Sequence, residues 1–343
     1  MNAISRATAL FLRELELCRV APAEMVVIVC EPESRSDYVE AAFAGGSMLG
    51  ASVAVLTLPA GSPVPFPSTR TGSAFGLRAL EDERRYVDFL RSADLVVDLT
   101  REGIIHTPVL SEILDAHTRV LFVCEPLEVL ESNMPHPDDK KVAAAHMRIL
   151  EDGESMRIRS DVGTDLTAAI VDSAPGFQCG FADEPGRWDH WPSKMVMCWP
   201  RPDGVNGTVV IAPGDVVFPF KEYVRSPVTL LIEEGRIADV AGNDVGVLIR
   251  EFLESSRDSD AWLTSHMGWG LLETADWSAL SMYDKESLMG MDARSYAGNF
   301  LISTGPNPFL DRWTAYHLDI PMRGCSIEID GQLVVDRGTV VAS

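Results

Sequence analysis

A histidine and an aspartate two residues apart, His317-Leu318-Asp319, lie in an apolar stretch at residues 316–320. The apolar neighbours predict a strand, on which residues two apart point to the same face. Imidazole and carboxylate then project side by side into one cavity. A third donor is at hand in Ser265-His266-Met267-Gly268-Trp269-Gly270. Two histidines and one carboxylate make the facial set that holds non-haem Fe(II) and leaves positions open for oxygen chemistry. Zn²⁺ uses similar donors at catalytic sites, so spacing alone leaves the metal open. A His–Asp pair that only orients a side chain is commoner than a metal site, so the surroundings must decide.

Those surroundings begin with an alternation of strand and helix over roughly the first 150 residues. Ala7, Phe11, Leu15 and Cys18 recur at helical spacing and predict an amphipathic opening helix. Met25–Cys30 (MVVIVC) reads as a buried strand, residues 37–49 as a helix and residues 52–58 as the next strand. Residues 59–72, rich in Pro, Ser, Thr and Gly, read as a loop. A helix over 78–92, a strand over 95–99, a helix over 109–116 and a strand over 119–124 continue the pattern. Continuous apolar strands alternating with helices predict a parallel sheet covered on both faces. No G-x-G-x-x-G follows the first strand, so the likeness to a Rossmann domain is architectural and no dinucleotide is expected.

After a helix over 138–151 the chain changes character. Strands are predicted over 208–211, Val228–Glu233, 326–329 and 333–335, with a Glu234-Gly235 turn and a strong Asp330-Gly331 hairpin signal. The expected fold is α/β: a Rossmann-like parallel-sheet domain over 1–155 and a mixed α+β metal-binding, catalytic domain over 156–343. All three metal donors fall in the second domain, whereas His106 follows a strand of the first. Ligands gather beyond the carboxyl ends of strands in open α/β sheets, which predicts an active site between the domains.

With 29 basic against 51 acidic residues the net charge is −22, a surface that repels nucleic acid and anionic lipid. No apolar run reaches the roughly 18–20 residues of a membrane span, and residues 1–20 lack a signal-peptide core, so a cytoplasmic location is expected. The cysteines (Cys18, Cys30, Cys124, Cys179, Cys198 and Cys325) form no C-x-x-C pair and read as reduced, buried thiols.

Residues 182–193 read ADEPGRWDHWPS, dense in charge, tryptophan and turn formers, with His190 between Asp189 and Trp191. Such a segment predicts a pocket-lining loop and not a core strand. A structural loop with one satisfied histidine is the plainer alternative. Taken with SHMGWGL at 265–271, STGPN at 303–307 and HLDIP at 317–321, it resembles the 2,5-dihydroxypyridine 5,6-dioxygenases. These are mononuclear Fe(II) ring-cleaving enzymes of nicotinate and picolinate degradation, and the resemblance runs from about the first strand to the end. A wider one, to the aminopeptidase T-like metallopeptidases, shows in the stretch from Trp191 to Pro200, in Asn206-Gly207-Thr208-Val209 and in the H-x-D. Those peptidases carry a two-metal site with a glutamate in the segment matching Ser193-Lys194-Met195-Val196. Here no carboxylate stands in that segment, and two metals about 3.5–4 Å apart need bridging acids. One metal is the expected count, and an aminopeptidase-like metallohydrolase is the alternative reading.

The resemblance implies Fe(II) held by His266, His317 and Asp319. It places His106, in Ile104-Ile105-His106-Thr107, at the substrate, where a histidine has the right pKa to act as base. His190 and Ser303 are expected as hydrogen-bond donors to developing oxygens, and Ile105 as an aliphatic residue packing on the ring. Gln178 stands where the family has an acid; it can keep a hydrogen bond but not transfer a proton. The implied partners are an N-heteroaromatic substrate and O₂, with both oxygen atoms inserted across C5–C6 of 2,5-dihydroxypyridine to give N-formylmaleamate. A homo-oligomer is expected, with no nucleic-acid or membrane partner. His117 and His146, on predicted helices, and His136, in a Pro-bracketed loop, read as structural or surface residues, and Tyr283 and Asp284 as neighbours of the site.

Overall fold

Runs of apolar residues build the first sheet. In the computed structural model, which describes residues 5–59, 80, 83–101, 103–105 and 107–341, the chain forms two compact units. One comprises Met1–Pro137, Cys179–Ser193 and Glu286–Met289; the other comprises Asp138–Gln178, Lys194–Lys285 and Gly290–Ser343. His106 lies outside the described residues, as do positions 60–72 of the predicted loop and parts of the predicted helix over 78–92. Among the described residues no helix is long and apolar enough to cross a membrane, and all six cysteines are buried.

The first unit holds a five-stranded parallel sheet in the order Ser52–Thr57, Met25–Cys30, Leu95–Asp98, Arg119–Val123, Trp188–Trp191. Its central strands have side chains buried on both faces, the pattern of a sheet sandwiched by helices. On one face Val27, Val29, Val96 and Val120 pack with Val87 and Leu90 of helix Arg84–Arg91 and with Val109 and Ile113 of helix Pro108–Asp115. Elsewhere in the unit, Phe11 of helix Arg6–Leu17 meets Tyr38 of helix Ser36–Met48 and Trp191 edge-on, with centroids 5.2 and 5.3 Å apart. The opening helix starts where Ser5 Oγ accepts a hydrogen bond from the Thr8 N–H, an N-cap.

One expectation is overturned. Trp188–Trp191 is not loop but the fifth strand, paired with Arg119–Val123. Its charged residue is tolerated because partners come with it. The Asp189 carboxylate accepts from the N–H groups of Cys179, Gly180 and His190 and from Arg187 Nη2 at 2.7 Å. A buried charge so surrounded is far less costly than an unpaired one.

Asp98 does similar work at the carboxyl end of its strand. Oδ1 accepts from Thr100 N and Oγ1 at 3.0 and 2.6 Å, and Oδ2 accepts from Ile104 N at 2.7 Å. These bonds fold the loop that delivers Ile105, itself buried. Burial raises the Asp98 carboxyl to about 6, against the hydrogen bonds from Thr100 and Ile104.

The second unit is built of antiparallel pairs. An eight-stranded sheet runs Arg236–Ala241, Val228–Glu233, Val205–Ile211, Asp165–Ala169, Ser155–Ser160, Cys325–Ile329, Gln332–Asp336, Thr339–Val340. Asp330 and Gly331 turn its hairpin with φ of +49° and +79°, the positive pair that a two-residue hairpin requires. A five-stranded sheet runs Leu318–Met322, Phe300–Thr304, Thr264–Gly270, Met195–Trp199, Ala174–Gln178. Its middle strand can sit against Met195–Trp199 only with Gly268 as it is: a Cβ there would stand 1.9 Å from Val196 O.

The Asp98 geometry sets a pH dependence. The folded chain holds this proton more tightly than the unfolded chain, whose aspartates titrate near 4, so stability from Asp98 falls as pH rises from about 4 to about 6 and is level above. Urea melts of wild type and Asp98→Asn should differ by an amount that shrinks across that window and then stays constant. A pH-independent difference would remove Asp98 as its source.

Candidate metal centre

His266 and Asp319 stand on strands Thr264–Gly270 and Leu318–Met322, which flank Phe300–Thr304 on either side. His317 immediately precedes the second of these. All three are buried, and one donor atom from each lies within 4.8 Å of the others. His317 Nε2 is 3.1 Å and His266 Nε2 3.6 Å from the same oxygen, Asp319 Oδ1. Donor atoms about 2.1 Å from a shared ion and at right angles to one another stand roughly 3 Å apart, so the cluster is of the right size.

Tautomers sharpen the point. His317 Nδ1 lies 2.7 Å from the carbonyl oxygen of Thr304, which can only accept, so Nδ1 carries the proton. In a neutral ring Nε2 then turns a lone pair toward Asp319 Oδ1. Burial pushes the pKa of His266 down to about 4, against the pull of Asp319, so this imidazole is neutral at neutral pH. Burial would raise the Asp319 carboxyl, but positive charge beside it, including the Arg294 guanidinium, outweighs that and holds the group well below the usual carboxylate range. Two imidazoles and a carboxylate oxygen gathered out of water offer a cation three donors. The donor set fits a divalent metal.

Two devices aim these side chains. The first is a bulge: Thr264 pairs with Thr304 but Met267 with Ile302, so Ser265 and His266 together oppose Ser303. Ser303 Oγ accepts from His266 N and donates to His266 O, both at 2.9 Å. The second is Arg294, buried in the short helix Met291–Ser295, whose Nε donates to Asp319 Oδ2 at 2.7 Å. Oδ2 is thereby engaged and Oδ1 is left facing the histidines. The guanidinium stacks 3.8 Å from the centroid of Phe218, and Phe218 exchanges both main-chain hydrogen bonds with Asp319.

Comparison with known proteins then places the chain. Residues 6–342 match the family model described as NicX, 2,5-dihydroxypyridine 5,6-dioxygenase. The chain belongs to this family. A 2,5-dihydroxypyridine 5,6-dioxygenase of Pseudomonas putida KT2440 is 38% identical over 341 residues, covering 98% of this chain and 97% of the relative. The solved structure of 2,5-dihydroxypyridine dioxygenase from the same organism superposes with a TM-score of 0.94 at 36% identity, covering 99% of each chain. Wild-type AmpT from Thermus thermophilus superposes with a TM-score of 0.54 at 12% identity over 98% of this chain and 99% of its own, a likeness of fold alone.

The remaining residues expected for a member of the NicX family are placed as follows. Gln178 is buried at the end of its strand, opposite Met195. In the first unit, Ile105 is buried beyond Asp98, and the His190 ring meets Phe122 and Trp188 edge-on, each centroid 5.4 Å away. The Ser303 hydroxyl accepts from His266 N and donates to His266 O, so it braces the main chain that carries this imidazole. Tyr283 is half-buried and Asp284 exposed, next to helix Ala279–Met282. Sequence reasoning missed Arg294 and Phe218. An arginine among buried neighbours in Met291-Asp292-Ala293-Arg294-Ser295 was the one available signal.

Partners that orient a metal-ligating carboxylate typically contribute 10–100-fold to metal affinity. Arg294→Gln should weaken divalent-metal binding by roughly that factor, and Arg294→Lys by less, since a point charge keeps the attraction but not the directed bond. Anaerobic equilibrium dialysis measures both. Unchanged affinity in Arg294→Gln would mean that Asp319 needs no such partner.

Proposed function

We propose that this chain is an Fe(II)-dependent, extradiol-type ring-cleaving dioxygenase that opens 2,5-dihydroxypyridine between C5 and C6 to give N-formylmaleamate. Family membership along the whole chain supports the reaction class. The observation that carries the metal assignment is the buried cluster of His266, His317 and Asp319, a two-histidine, one-carboxylate set of the kind that holds non-haem Fe(II). One such cluster is found among the described residues, and Lys194, in the segment where the two-metal peptidases have a glutamate, bonds to Asp139 at 3.0 Å and to Glu273. Both facts favour one metal over the hydrolase reading.

Bound Fe(II) would supply open positions at which the ring hydroxyl and O₂ are held together. The protein's own groups do the rest. His106 takes a hydroxyl proton, so that electron density moves into the ring. His190 donates a hydrogen bond to oxygen as negative charge develops there, on a strand anchored through Asp189. Ile105 packs on the ring, and Gln178 offers an amide hydrogen bond without a transferable proton. Ser303 acts through the main chain of His266. Both atoms of O₂ end in the product, so no external reductant is needed.

Protein purified without air should contain one iron per chain and consume O₂ when given 2,5-dihydroxypyridine. His266→Ala, His317→Ala and Asp319→Ala should each abolish turnover and strongly deplete the metal. Two metals per chain in active enzyme, or full activity in any of the three, would overturn the assignment.

His106→Ala separates chemistry from metal binding. It should keep its iron and lose roughly 10²–10⁴-fold in kcat, the usual range for a general base. A KM effect with kcat unchanged would instead make His106 a binding group.

A further inference from the structure

Within the second unit lies a cavity of about 670 Å³ that the proposed chemistry does not use. Its walls are largely apolar, with Val142, Ala145, Leu271 and Val340, and none of the three candidate metal donors lines it. Its volume falls within the roughly 300–1,000 Å³ of small-molecule sites. Two charges stand among the lining residues, Lys141 and Glu273, and each has a partner: Asp138 at 2.7 Å for the first, Lys194 for the second.

One buried polar group faces this space. His146 of helix Asp139–Asp152 lines the cavity and is only 3% exposed. Its Nδ1 is 3.2 Å from Trp269 Nε1, and an indole N–H can only donate. Nδ1 is therefore an acceptor, and the neutral ring carries its proton on Nε2. Burial lowers the His146 pKa and keeps the ring neutral. Nε2–H has no hydrogen-bond partner among the described residues and is not shut off from solvent, so it opens into the cavity.

We propose that this cavity is a second small-molecule site, for a compound with an apolar body and one carbonyl or carboxylate oxygen placed against His146 Nε2–H. The ligand would act close to the candidate metal centre, because Trp269 stands three residues from His266 on one strand.

The test is calorimetric titration of the full chain with 2-naphthamide and 2-naphthoate, which share the body and differ in the acceptor. Saturable binding of one molecule per chain is expected. The amide binding tighter assigns a neutral carbonyl ligand; the acid binding tighter assigns a carboxylate drawn by Lys141. Ala145→Trp fills the cavity from an exposed helical position and should weaken binding at least tenfold, as should His146→Leu. Should His146→Leu not fold, Ala145→Trp decides alone. His317→Ala should bind as wild type does, because it alters the candidate metal centre only. No saturable binding, binding unaffected by Ala145→Trp, or binding lost in His317→Ala would overturn the proposal. So would a change in sedimentation of Ala145→Trp, since it would mean that a second copy of the chain covers the cavity.

Discussion

A carboxylate buried in a sheet stays ionised most readily when something positive is buried with it, and for Asp319 the Arg294 guanidinium does this. Removing a charge from water costs several kcal/mol unless well-aimed bonds offset it. The offset here is a directed Nε–H bond to one oxygen, with the guanidinium face resting on Phe218. The same contact decides which oxygen is available to the histidines. Gly290 makes it possible: it adopts φ of +93° ahead of the arginine helix, and a Cβ there would come within 2.4 Å of the Phe218 ring. A glycine, an aromatic ring and a cation thus set the aim of one acid.

The histidine side of the cluster is held by the backbone. Side chains alternate along a strand, so an extra residue is the cheapest way to redirect one of them. Ser303 fixes that extra residue by bonding both main-chain polar groups of His266. Gly268 lets the neighbouring strand close up two residues later. Directional bonds and close approach make the site stiff before any ligand arrives, which is what a metal-binding set needs in order to favour one geometry.

Much of this was legible in the residues. Met25–Cys30 and Val228–Glu233 have the bounds their apolar runs predict, and the Asp330-Gly331 hairpin turns where its residue types require. His317 and Asp319 meet as a two-residue spacing on a strand implies. What could not be read depends on partners distant in sequence. Trp188–Trp191 looks too polar for a sheet until Cys179, Gly180 and Arg187 surround Asp189. Arg294 gains its meaning from Asp319, 25 residues away. The bulge at His266 is a property of a strand pair, and no periodicity within one strand reveals it.

The parallel sheet has a consequence for dissecting the molecule. Its fifth strand is supplied only after the chain has left the first unit and come back. A fragment ending near residue 155 would leave the edge of Arg119–Val123 unpaired, and that strand is buried at every position. A flat apolar edge with free N–H and C=O groups is a template for pairing with further chains. The two halves of this polypeptide are therefore poor candidates for separate expression, and aggregation of the first would reflect its missing strand, not a weak core.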